Sequence, residues 1–253
     1  MSKNFELMQN LGKEQDVLSA DSAQAAVKAT SVAPAAAAAE TPIAEKPGAG
    51  EIGGLVQQVF LAPSTEAPRS VVFVSTDPDS GCTWVCAHAA QVLAARVAAS
   101  VCVVDANFRD PGLHLQFGVD NGRGLSEALI QQDPIRSFVR QSLAPNLWFI
   151  SSGTAREEAQ TLLTSDRMRL RIAELRSEFD FVLIDSCAMS LGNDAINLGR
   201  YSDGVLIVLK AHSSRREIAK QVVEELQGSS AKVLGAVLNQ RTYPIPDYVY
   251  KKI

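Results

Sequence analysis

The segment Ser75-Thr76-Asp77-Pro78-Asp79-Ser80-Gly81-Cys82-Thr83 joins an apolar run to a stretch of helical composition, the setting in which a phosphate-cradling loop occurs. Such a loop reads G-x-x-x-x-G-K-[ST]: glycines let backbone amides turn toward the phosphates, Lys neutralises the β and γ groups, and the hydroxyl holds magnesium. Here Thr76 takes the first Gly position, Gly81 keeps the second, Cys82 replaces Lys, and Thr83 keeps the hydroxyl. Alone, the match is weak. Two acidic residues add to it. Asp105 ends the run Val101-Cys102-Val103-Val104, and Asp185 ends Phe181-Val182-Leu183-Ile184. Either could hold a magnesium-bound water, and an Asp at a strand end also commonly caps the turn or helix that follows.

The elements that must position these residues follow from hydrophobic patterning. Short apolar runs at 71–74, 101–104, 147–150, 181–184, 205–208 and 233–238 read as strands, and stretches at 83–98, 124–131, 165–178, 193–198 and 214–226 read as helices. Alternation of this kind predicts an α/β fold, a doubly wound and mostly parallel sheet joined by right-handed crossovers with helices on both faces. Ligands of such sheets bind beyond the carboxyl ends of the strands, where the loop and both Asp residues fall.

Ahead of this domain, expected over 51–253, the region over 19–50 is rich in Ala and contains Pro34, Pro42, Pro47, Gly48 and Gly50. It lacks large apolar side chains to offset its ordering entropy and reads as a disordered linker. At 1–18, Phe5, Met8 and Leu11 recur at spacing three, which fits either a short helical turn or a frayed end. The start of the chain has no signal-peptide pattern, and no window matches the ~20 mostly apolar residues of a membrane span. The expectation is a cytoplasmic protein. A formal charge of −4 from 24 basic and 28 acidic residues argues against general affinity for nucleic acid. Four cysteines are too few and too scattered for a disulfide framework.

Taken in order, the motifs resemble the cytoplasmic bacterial tyrosine kinases of capsular and exopolysaccharide synthesis, relatives of the septum-site and partitioning ATPases. The resemblance runs through the loop at 76–83, then Asp105-Ala106-Asn107-Phe108-Arg109-Asp110-Pro111 against a D-x-D-L-R-x-P segment, then Phe179 to Asp185. It closes on Gly235-Ala236-Val237-Leu238-Asn239. It implies a P-loop NTPase-like fold, ATP with magnesium, and a membrane-embedded chain-length determinant as partner, which would hold the protein peripherally at the inner membrane. By the same resemblance Thr83, Asp105 and Asp185 would serve magnesium and catalysis. Gly81, Cys82, Thr83, Trp84 and Asn239 would line the nucleotide site, with Asn239 near the base. Tyr243, Tyr248 and Tyr250 look like the family's phosphoacceptor cluster, though packing of an apolar end is the favoured reading of them.

Several residues depart from the family pattern. Cys82 removes the Lys charge, Asn107 replaces an Asp, and Asp77 and Asp79 put carboxylates in or beside an anion cradle. Trp84 takes a position commonly held by a small hydroxyl residue, where its ring either fills the site or packs at the helix start. On the family's E-x-x-R-x-x-R helix, Glu51 is kept but Gly54 and Gln57 replace both Arg, so self-association by that motif is not implied. Cys82 and Cys187, beyond neighbouring strand ends, are candidates for a reversible disulfide or soft-metal pair.

The leading expectation is a regulator of polysaccharide synthesis with weak or no ATP binding and phosphotransfer. An active tyrosine autokinase, with Arg109 or a partner's cation in place of Lys, is the alternative. A partitioning-type ATPase is a further one, which no basic stripe or C-terminal basic helix supports.

Overall fold

The computed structural model describes residues 49–63, 67–141 and 144–241. The segments expected at 1–18 and over most of 19–50, and the three tail tyrosines, lie outside the described residues. In chain order the elements are α1 (Ala49–Val59), β1 (Ser70–Ser75), α2 (Cys82–Arg96), β2 (Val101–Asp105), α3 (Leu113–Phe117), α4 (Leu125–Ile130), β3 (Arg140–Gln141), β4 (Leu147–Ile150), α5 (Arg156–Leu162), α6 (Asp166–Glu178), β5 (Phe181–Asp185), α7 (Asp194–Tyr201), β6 (Gly204–Lys210), α8 (Arg216–Gly228) and β7 (Val233–Asn239). Helix α1 begins at Ala49, so residues 49 and 50 of the stretch expected as a linker are helical.

The strands form one sheet of order β3-β4-β2-β5-β1-β6-β7. All neighbours are parallel except β3, which runs antiparallel to β4. The expected mostly parallel, doubly wound architecture is therefore the one observed. Because successive strand residues face opposite sides, the apolar runs divide between two cores. Val72, Val74, Val104, Ile184 and Ile207 pack against residues of α4, α6, α7 and α8, among them Leu129, Ile172, Leu198 and Leu226. Val71, Phe73, Val103, Leu183 and Val208 pack against α1 and α2 through Ile52, Val56, Val85 and Leu93. A strand buried on both faces has no polar side to show, which is why these segments read as continuous apolar runs.

Helix α2 is enclosed between α1 and the sheet. Ten of its side chains are buried, including Ala87, Ala89 and Ala90, whose small size lets the layers approach. Arg96 near its end donates to Gly53 O at 2.7 Å and ties α1 to the same face. Among the described residues no helix is long and apolar enough to cross a membrane.

Candidate functional site

The turn between β1 and α2 lies where the sheet changes direction: β1 is flanked by β5 on one side and β6 on the other, with β2 beyond β5. The backbone turns through positive φ at Asp79 (60°) and Gly81 (75°) before entering the helix. Gly81 is the N-cap residue and no side chain caps this end of α2. The first-turn amides therefore lack intrahelical partners and carry the positive end of the helix dipole, the physical basis of an anion cradle.

The loop is fastened to its surroundings by its own side chains and by the end of β7. Ser75 and Ser80 hydroxyls both donate to Asp77 O, at 2.9 and 2.8 Å. Thr76 Oγ1 donates to Asp77 Oδ2 at 2.9 Å, and the Ser190 amide donates to Thr76 O at 3.1 Å. Asn239 Nδ2 donates to Ser80 O at 2.9 Å, and Gln240 Nε2 donates to Asp79 O at 3.0 Å. Asn239 thus reaches the loop, where its amide is engaged with backbone.

Thr83 and Asp185 are brought together. Thr83 Oγ1 donates to Asp185 Oδ2 at 2.7 Å. Burial pushes the Asp185 carboxyl up to about 7, while hydrogen bonding from Thr83 and Cys82 pulls the other way. The Cys82 contact is loose, since Oδ1 is buried with no partner of proper hydrogen-bond geometry. Asp105 sits beside Asp185 in register on the adjacent strand. Its two oxygens accept the amides of Asn107 and Leu113, both at 3.1 Å, so it holds its own turn and the first residue of α3. This is the capping role open to any strand-end Asp.

Cys82 is buried, and its thiol is raised well above the ordinary range, first by burial and then by the charge of Asp185. It is a neutral group where the phosphate loop needs a cation. Cys187 donates to Asp194 Oδ2 at 3.2 Å, and burial with the Asp194 charge pushes its thiol up to about 12. All four cysteines are free and buried. Arg109, the sequence candidate for a replacement cation, has Nε 3.3 Å from the same Asp194 oxygen. With the Gln160 amide oriented to present its oxygen, that oxygen accepts from Arg109 Nη2 at 2.7 Å. Asp194 and Gln160 carried no sequence signal, being ordinary polar residues at the start of α7 and within α5.

Trp84 is the third residue of α2. Its ring stacks on His88 at 4.0 Å between centroids and faces a cavity of about 420 Å³ lined by α1, α2 and the end of β7.

These groups can be tested against ATP with magnesium. The Thr83 hydroxyl and the orphaned Asp185 oxygen are hard oxygen donors of the kind magnesium takes, usually with one or two carboxylates and the phosphates themselves. No set of three or more His, Cys, Asp or Glu able to hold a metal occurs among the described residues. The loop's composition is the mismatch: position 82 holds a thiol where such a loop has Lys, and Asp77 and Asp79 bring carboxylates to the same turn.

Fold and site together define a P-loop ATPase-like α/β protein. Its homologues carry the names of bacterial tyrosine-protein kinases. Over 171 residues it is 29% identical to tyrosine-protein kinase YwqD of Bacillus subtilis, covering 68% of this chain and 72% of that one. Over 175 residues it is 27% identical to the succinoglycan biosynthesis transport protein ExoP of Rhizobium meliloti, covering 68% of this chain and 22% of that one. The solved kinase domain of Escherichia coli tyrosine kinase ETK superposes with a TM-score of 0.66 at 25% identity, covering 74% of each chain. No family model matches. The chain spans only 22–25% of the length of several of the curated relatives it matches.

Proposed function

We propose that this protein is a regulator of extracellular or capsular polysaccharide synthesis that keeps the tyrosine-kinase scaffold with weak or absent nucleotide binding and phosphotransfer. The observation that carries this reading is the buried, neutral Cys82 at the position of the phosphate-loop Lys. Charge-assisted contacts to phosphate are the strong ones, and losing one preorganised donor costs on the order of 3 kcal/mol in catalysis elsewhere. Asp77 and Asp79 add repulsion to that loss. Arg109, engaged by Asp194, supports the same reading. Kinship with proteins such as ExoP supports the polysaccharide context, and a membrane-embedded chain-length determinant is the proposed partner that brings the protein to the inner membrane.

Calorimetric titration with ATP and ADP in magnesium tests the proposal. The natural protein is expected to show no binding below millimolar ligand, and Cys82→Lys to recover only part, because both loop Asp residues remain. Submicromolar binding by the natural protein would overturn the reading. The retained Thr83–Asp185 contact is the specific observation favouring the alternative, an active autokinase. Transfer of labelled phosphate from ATP to Tyr243, Tyr248 or Tyr250 would establish that alternative instead.

A further inference from the structure

We propose that β7 is a pairing edge for a second copy of this chain, joining the two sheets antiparallel about a two-fold axis at Val237. The sheet ends in two unlike margins. At one, β3 is two residues long and carries Arg140. At the other, β7 runs for seven residues, Val233-Leu234-Gly235-Ala236-Val237-Leu238-Asn239, without a charged residue or a proline. Short length, charge and proline are the usual guards against edge-to-edge pairing, and β7 has none of them. Among the described residues, β6 is its one strand neighbour.

Register and charge choose the occupant. Ala236 lies opposite Ile207 and Leu238 opposite Leu209, so both stand on the α8 face of the sheet, where Ile207 and Leu209 pack with Val222 and Leu226. Both are exposed, Leu238 to 55%. Antiparallel pairing about Val237 sets Ala236 beside Leu238 of the second copy, and Leu238 beside its Ala236, so a small residue meets a large one on each side of the axis. On the other face Gly235 has open space where a side chain would stand, which leaves room for Asn239 of the second copy.

The same axis brings the two α8 helices alongside each other. With strands about 4.8 Å apart, a helix over the β6–β7 pair lies about 10 Å from its symmetry mate, the spacing of packed helices. The helices run antiparallel. The first half of α8 with its N-cap holds Arg215, Arg216 and Lys220 against Glu217, and the second half holds Glu224 and Glu225. All of these side chains are exposed, and none of the ion pairs among the described residues involves α8. A two-fold axis therefore turns the charge asymmetry of one helix into complementarity between two, which an unrelated extended peptide would not supply. The strand pair alone falls short of the roughly 1,200–2,000 Å² of a standard interface, so the helices complete it and the association is of micromolar strength.

Sedimentation equilibrium without nucleotide tests this, so the outcome does not depend on the state of the phosphate loop. The full chain is expected to pass from one copy to two as its concentration rises through the micromolar range, and β7 amide exchange, fast in the dilute monomer, is expected to slow in step. Ala236→Lys is expected to weaken association about tenfold or more, since it puts a charge beside Leu238 on both sides of the axis. Arg216→Glu should weaken it as well, and adding Glu224→Arg to that variant should restore it. Positions 216 and 224 lie about 12 Å apart along one helix, too far to pair within it, so such a rescue reports a contact between antiparallel copies. These sites are exposed, and far-UV circular dichroism checks that each variant is folded. A chain that stays a single copy at every concentration would overturn the proposal. So would a dimer indifferent to Ala236→Lys, or one that Glu224→Arg fails to restore.

Discussion

Thr83 is the donor that satisfies one oxygen of a carboxylate buried between two strands. Replacing it with Val keeps the shape and leaves that oxygen without its partner. Thr83→Val is expected to lower stability by about 1–3 kcal/mol, the usual cost of an unsatisfied buried polar group. Urea unfolding checks this, and an unchanged midpoint would mean the contact is not formed. Gly81 tests the loop's backbone. Its φ of 75° is reached freely only by glycine, and an added Cβ would run into Asn239 Nδ2. Gly81→Ala is expected to cost about 1–2 kcal/mol from the left-handed conformation, plus the collision. In an Asn239→Ala background the penalty should shrink without vanishing, because the φ strain remains. Asp185 and Asn239 were legible in the sequence because each ends an apolar run, and Thr83 because it follows Gly81 at the spacing of a phosphate loop. The Gln240 clasp and the Cys187–Asp194–Arg109 chain were not, since side-chain hydrogen bonds across elements leave no periodic trace.

At the scale of elements, α4 and the turn after β4 are joined by one carboxylate. Glu127 Oε2 accepts the Gly124 amide at 2.7 Å, and Oε1 accepts from the Thr154 amide and hydroxyl and the Ala155 amide at 2.8–3.0 Å. Partial burial pushes this carboxyl up, but the four hydrogen bonds together lower it from 4.5 to about 2. A group lowered in the folded state gives stability that is present above its unfolded pKa and is lost as pH falls through the folded one. The Glu127 contribution should therefore fade between pH 4.5 and about 2. Glu127→Gln is expected to melt earlier at neutral pH and to lose less on acidification through that window. Thermal melts across the range check both effects, and parallel pH profiles for the two proteins would refute the assignment. The long apolar strands were readable from composition. Strand β3, only Arg140–Gln141, was not, because two polar residues at a sheet edge carry no pattern. Helices α3 and α5 were also missed: α3 has five residues, and α5 opens with a run of charged side chains.

For the molecule as a whole, the strand order places β2, β5 and β1 at the centre, with β3 and β7 at the margins. Amide exchange should be slowest in the central strands, whose side chains are buried on both faces, and fastest in β3 and the half-exposed β7. Equal protection of β7 and β1 would contradict this ranking. The thiols give a second global reading. Cys86 and Cys102 are fully buried and held above the ordinary thiol range, first of all by that burial. A thiol reagent should leave both unmodified in the native protein and label them only as the protein unfolds, so rapid native labelling at either would show that this interior opens on its own.

Helix α1 rests on its neighbour at Gly53, where Arg96 occupies the space a side chain would need, while one position on, Gly54 is exposed and has open space around it. Gln57, a turn further along, is exposed as well. Arginines grafted at 54 and 57 would therefore stand side by side in solvent on one face of α1, at the cost of no more than the Gln57 contact to Leu61 O. Light scattering on such a graft would read out whether a guanidinium pair on that face changes the protein's state of association.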